Sequence, residues 1–138
     1  MNVGFAIGGA LSFAAALLHL AIIVGGPSWY RFFGAGEDFA RAAESGHWAP
    51  ALTTLGIAVV LFVAAGYAWG ASGLVPALRG LPWMRPVLMV VTAVYLLRGL
   101  GPLPLAWLAP GQLTPFVWWS SAVCLGFGLA HLSGFVKA

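Results

Sequence analysis

Three long stretches of this chain contain no charged residue: residues 1–30, 45–78 and 99–136. The six basic and three acidic side chains all lie between or beside these stretches, and 62% of the residues are hydrophobic. A water-soluble domain of 138 residues has too small an interior to bury so many apolar side chains. Lipid removes this difficulty, because it covers the outward faces of apolar helices. The sequence therefore predicts an integral membrane protein.

The length and the turn signals predict an all-α fold, a four-helix transmembrane bundle in a single domain. A helix needs roughly 20 residues to cross a bilayer, whereas barrel strands would alternate over roughly 10 residues, and the sequence shows no such alternation. Glycines and prolines mark the helix ends, and the tryptophans lie near those ends, where interfacial aromatic belts occur. The predicted spans are about 4–25, 47–72, 82–100 and 114–136.

Two connections between the spans are longer than a tight turn. In the first, four of the six residues 28–33 are aromatic, and this segment is expected to lie in the membrane interface. A short helix is predicted over residues 36–44, where Glu37 and Arg41 form a favourable i,i+4 pair. The second connection, residues 101–115, holds four prolines and is expected to be a rigid apolar segment at the headgroups.

The distribution of charges gives an orientation. The first stretch has neither a basic start nor a small-residue cleavage site, so it is interpreted as a retained span and not a signal peptide. An even number of spans places both termini on one side. That side receives Arg79, Arg85 and Lys137, and the other receives Arg31, Arg41 and Arg98. Because Arg98 stands at a helix end and not in a loop, the termini are expected in the cytoplasm. No basic cluster is present, and nucleic acid is not expected as a partner.

Small residues recur at every fourth position in the first and fourth predicted helices. Such stripes let helix backbones approach closely within lipid. Two explanations are open: the first helix packs on the fourth, or these helices pack on other membrane proteins or on a second copy. The stripes consist of Gly4, Gly8, Ser12 and Ala16 in the first helix, and Ala122, Gly126, Ala130 and Gly134 in the fourth.

Polar side chains in the predicted spans gather toward the side opposite the termini. At about 1.5 Å per residue, several of them fall within roughly 9 Å of that side. One hypothesis is an outward-facing pocket in which Arg98 and His19 bind an anion or a small amphiphile. The alternative is a structural cluster, in which Arg98 snorkels to the lipid phosphates or pairs with Glu44, and the hydroxyls bond their own helix carbonyls. The candidate residues are His19, Glu44, His47, Thr53, Thr54, Arg98, Ser120 and Ser121.

Other chemistries are disfavoured by spacing. Cys124 is the only cysteine, which excludes an intrachain disulfide. His19 and His131 are predicted roughly 15 Å apart along the membrane normal, too far to ligate one haem iron. No group of ligands is spaced for zinc, and no acid lies within the spans to orient a Ser–His pair. We therefore expect no cofactor, no metal and no catalytic residue, and interpret His131 as bonded to Tyr67 or Ser12.

The segments of residues 26–37 and 95–100 resemble the corresponding segments of small bacterial four-span membrane proteins of similar length, a family without an assigned function. The most specific part is the loop Tyr-Arg-Phe-Phe-Gly-Ala-Gly-Glu at residues 30–37. The resemblance implies a bacterial inner-membrane setting and an ordered first loop. It implies no activity, cofactor or catalytic residue.

Three functions compete on this sequence. The leading hypothesis is a non-catalytic accessory subunit that packs on partner transmembrane helices, because small-residue stripes are present and a catalytic constellation is not. The second is a protein that binds or transports a lipid headgroup, a quinone or another small amphiphile in the outward pocket. An enzyme that acts on lipids is third.

Overall fold

The computed structural model describes residues 1–34 and 36–137, and helix accounts for 84% of the protein with no strand in these residues. The all-α, four-helix prediction is confirmed. The four long helices begin and end within two residues of the predicted spans. In chain order the helices are α1 (Val3–Gly25), α2 (Pro27–Phe32), α3 (Glu37–Glu44), α4 (Ala49–Ser72), α5 (Met84–Leu100), α6 (Pro102–Leu108) and α7 (Pro115–Lys137), with 3₁₀ turns at Pro76–Leu78 and Pro110–Gln112.

The second connection differs from the prediction because α6 forms within it. Gly101 has helical backbone angles (φ −52°, ψ −38°), and Pro102 occupies the first position of α6, where its missing N–H costs nothing. The third helix long and apolar enough to span a membrane is therefore Met84–Leu108, of 25 residues. Arg98, which we expected very near the end of its span, lies inside it.

The residues divide into two compact units, 13–63 and 1–12 with 64–138, so that α1 and α4 each contribute to both. In the first unit, Ile22, Tyr30 and Ala40 form a buried core, against which Phe33 and Phe39 pack. This core ties α2 and α3 to the end of α1. The predicted short helix is confirmed as α3, and Arg41 contacts Glu37 at 3.3 Å as expected.

The second unit is held together by close helix packing. Phe5, Ala68 and Leu88 form its buried core. The backbone N–H of Asn2 donates to the Ser72 carbonyl at 2.9 Å, and its side-chain amide donates to the Gly134 carbonyl at 2.8 Å. The start of α1 and the ends of α4 and α7 therefore meet at one end of this unit, as an even number of spans requires.

Four helices have the length and composition to cross a membrane: Val3–Gly25, Ala49–Ser72, Met84–Leu108 and Pro115–Val136. Only 22–28% of the most apolar window of each span is buried within the chain. Large apolar side chains along these helices, such as Val60 at 65% and Val90 at 63%, are exposed. Such surfaces require lipid to cover them, and the chain is a multi-pass membrane protein.

Candidate functional site

The structure brings Arg98 on α5 together with Ser120 and Ser121 on α7. The guanidinium donates through Nη1 to the Ser121 hydroxyl and through Nη2 to the Ser120 hydroxyl at 3.1 Å. Ser121 is buried, whereas Arg98 is exposed and Ser120 is half-buried. Ser120 also donates to the Val117 carbonyl at 3.2 Å. The arginine head is thus fixed against a neighbouring helix while one side of it remains open.

Two glycines hold α5 and α7 close enough for this contact. A Cβ built on Gly99 would lie 2.7 Å from the Cα and N atoms of Leu125. A Cβ on Gly128 would lie 2.7 Å from Cδ2 of Leu96. Only glycine permits such approach at these positions. The position of the Arg98 side chain therefore depends on how closely α5 packs on α7.

The remaining predicted pocket residues belong to the unit of residues 13–63. Thr54 is buried and donates to the Pro50 carbonyl at 2.8 Å, with the hydroxyl of Tyr30 at 3.3 Å. His19 is half-buried, and its Nδ1 lies 2.7 Å from the Ala15 carbonyl. Thr53 and His47 are exposed. Thr54 and His19 thus bond carbonyls of their own helices, and the pocket as a whole stays a prediction.

Glu44 pairs with Arg31, not with Arg98 as the structural alternative suggested. Nη1 of Arg31 lies 2.7 Å from Glu44, and its Nη2 lies 3.0 Å from Glu37, which also contacts Arg41. These four side chains pair with one another because all of them project from α2 and α3. The hydrogen bond from Arg31 lowers the pKa of Glu37, while Glu37 and then Glu44 raise the pKa of Arg31.

A second buried polar group lies in the unit of residues 1–12 and 64–138. The hydroxyls of Ser12 and Tyr95 are 2.7 Å apart. His131 is fully buried, and its Nδ1 lies 2.8 Å from the Phe127 carbonyl, so this nitrogen carries the donated proton. Its Nε2 has no hydrogen-bond partner among the described residues. The prediction that His131 bonds Tyr67 or Ser12 is wrong. Tyr67 donates to the Pro82 carbonyl, and the Ser12 hydroxyl bonds that of Tyr95.

The predicted small-residue stripes have unequal surroundings. In the first stripe, Gly4 and Gly8 are buried, and a Cβ on Gly8 would lie 2.8 Å from the His131 ring. Gly134 packs on Phe5, where a Cβ would lie 2.7 Å from the ring. In contrast, Gly126 is exposed and a Cβ built there would meet nothing within 4 Å. Ser12 and Ala16 are buried, Ala130 is half-buried and Ala122 is exposed.

No protein family, curated protein or solved structure matches this chain. The site is therefore interpreted from its own chemistry. Within residues 1–34 and 36–137, no group of three His, Cys, Asp or Glu side chains is placed to hold a metal ion. The Arg98 cluster offers hydrogen-bond donors and a positive charge, which suit recognition of an anion more than proton transfer.

Sequence reasoning missed three residues of this arrangement: Tyr95, Gly99 and Gly128. Tyr95 is a polar aromatic residue inside a span, a signal that asks for a buried partner. The two glycines are not members of the small-residue stripes. They contact Leu125 and Leu96 of the facing helix.

Proposed function

We propose that this chain is a non-catalytic accessory subunit that docks on partner transmembrane helices through the exposed face of α7. The observation that carries the proposal is Gly126, which lies exposed near the middle of the span Pro115–Val136 with open space where a side chain would be. Ala122, one turn earlier, is also exposed. These positions form a shallow notch along the helix.

The side chains around the notch favour a helix as its occupant. Trp119, Val123 and Leu129 are 49%, 45% and 52% exposed and form its walls. Within lipid there is no hydrophobic drive between helices, so association depends on close van der Waals contact at small residues. The α5–α7 contact uses glycines in this way, and Gly126 offers the same geometry on the opposite side of α7.

The setting that we propose is a bacterial inner membrane, on the basis of the resemblance of residues 26–37 and 95–100. We place the termini in the cytoplasm. Arg85, at the start of α5 after the connection from α4, has its guanidinium carbon 5.5 Å from the ring centre of Phe135, at the end of α7 that also contacts Asn2. Arg79 lies in the same connection, and positive residues favour the cytoplasmic side.

The proposal is tested by Gly126→Leu in the native membrane, with gentle solubilisation and native electrophoresis. The leucine fills the notch and should release the chain from a larger complex, while circular dichroism and thermal unfolding stay as in the wild type. Val90→Leu, at an exposed position on α5, is the matched control and should leave the complex intact. Unchanged migration of the Gly126→Leu protein would contradict the proposal.

A further inference from the structure

We propose that Arg98, with Ser120 and Ser121, is a binding site for a phosphate group near the start of α7. The site goes beyond helix docking, because it lies on α5 and on the serine pair of α7. Its ligand chemistry is a phosphate mono- or diester, and the expected source is the headgroup of an anionic phospholipid.

The first argument is charge. The unit that contains Arg98, residues 1–12 and 64–138, has no aspartate or glutamate in its sequence. All three acids, Glu37, Asp38 and Glu44, belong to the other unit, where Arg31 pairs with Glu37 and Glu44. The two serines offer Arg98 only neutral hydroxyls. A guanidinium inside a span is costly without a counter-charge, and an anion from outside the chain would supply it.

The second argument is geometry. Both bonds to the serines use the terminal Nη atoms, and Ser121 is buried, so the fork is held on one side. Arg98 is nevertheless an exposed residue, and its guanidinium has five N–H donors, of which the two serine bonds use two. A planar fork with parallel donors matches phosphate oxygens in a bidentate manner. The site is thus pre-organised, because a ligand need not order the arginine first.

The third argument is depth. Ser120 follows Pro115, the start of α7, by about 8 Å at roughly 1.5 Å per residue. This depth lies in the outer part of the span, and Arg98 lies inside its own span, so a bound phosphate would be drawn slightly inward from the headgroup level. The apolar side chains of Leu97 and Trp119, next to Arg98 and Ser120 in sequence, are 72% and 49% exposed. They offer surface for an acyl chain beside the charge, which favours a lipid over free phosphate.

Native mass spectrometry of the full chain, purified in mild detergent with equimolar phosphatidylglycerol and phosphatidylcholine, tests the proposal. We expect the wild type to retain phosphatidylglycerol in preference, and Arg98→Gln to lose about tenfold or more of that preference. Arg79→Gln, an exposed arginine in the same unit, is the matched control and should retain it. Equal losses in the two variants would overturn the site, and no preference in the wild type would overturn the lipid source.

Two further arms separate the remaining outcomes. Inorganic phosphate alone is added to the wild type and to Arg98→Gln in thermal unfolding. Stabilisation by phosphate that needs Arg98, together with no choice between the lipids, would keep the anion site but overturn the lipid source.

If Arg98→Gln does not fold, the Arg98→Lys variant decides. It keeps the charge and loses the fork, so a lost lipid preference supports the site and an unchanged preference overturns it. Migration of the complex on native gels is expected to be unaffected, which keeps this test separate from that of Gly126.

Discussion

The α5–α7 contact gives the sharpest prediction, the effect of Gly99→Ala. The new Cβ would lie 2.7 Å from two backbone atoms of Leu125, while ordinary contact begins at 3.4 Å. Backbone atoms have no alternative rotamer, so the helices must separate by about 0.7 Å at this point. Overpacking of this kind costs typically about 1–3 kcal/mol. Alanine recovers up to about 1 kcal/mol in helix propensity, so the net loss is expected to be about 1–2 kcal/mol.

The assay is reversible unfolding in mixed micelles of a mild detergent and dodecyl sulfate, followed by far-ultraviolet circular dichroism. Gly126→Ala is the matched control, because its Cβ meets nothing within 4 Å. We expect its unfolding free energy to rise by up to about 1 kcal/mol, because the helix-propensity gain is not opposed by a clash. Equal stability of the Gly99→Ala and Gly126→Ala proteins would refute the reasoning that glycine sets the approach of α5 and α7.

Three other predictions concern separate parts of the chain. Ser12→Ala and Tyr95→Phe should each lower the unfolding free energy by about 1 kcal/mol, and the double variant should cost clearly less than the sum; additive losses would contradict the buried hydroxyl pair. Arg31 lowers the pKa of Glu37, so the ion pair stabilises the loop above the ordinary carboxyl pKa of 4.5 and is lost as the pH falls through the lowered value. Hydrogen-exchange protection of α3 should therefore fall more in acid for the wild type than for Glu37→Gln, which keeps only the Arg31–Glu44 pair, and equal pH dependence would argue against the Glu37 pair. Gly8→Ala should destabilise the protein by about 1–3 kcal/mol, since its Cβ presses on a buried imidazole; an unchanged unfolding midpoint would count against that packing.

The helices were predictable because their signals are local. Charge-free runs set the spans, and glycine and proline set their ends. The Glu37–Arg41 pair predicted α3 for the same reason, since the two side chains are one helical turn apart. The error at residues 101–115 is also local. Prolines were interpreted as breakers, but Pro102 stands at the first position of a helix, where proline is well tolerated.

The site was predictable only in part, because partners are chosen by tertiary packing. Depth along the helices suggested that Arg98 and the serine pair lie near each other, and the structure brings them into contact. Depth alone offered Arg98 as a partner for Glu44, because depth does not distinguish Arg98 from Arg31. Glu44 pairs with Arg31, which lies in the same connection between spans. The hydrogen bond from Tyr95 likewise depends on which helices are neighbours.

The central claim is that lipid covers the exposed apolar faces of four membrane-crossing helices. Spin labels at Val60 and Val90, in a Cys124→Ser background reconstituted into bilayers, test it most directly. Both side chains are exposed in the chain itself, so the medium around them decides the outcome. The account predicts that oxygen relaxes these labels far more than a water-soluble nickel complex does. Nickel accessibility equal to that of a label at Asp38, on the charged loop, would contradict it.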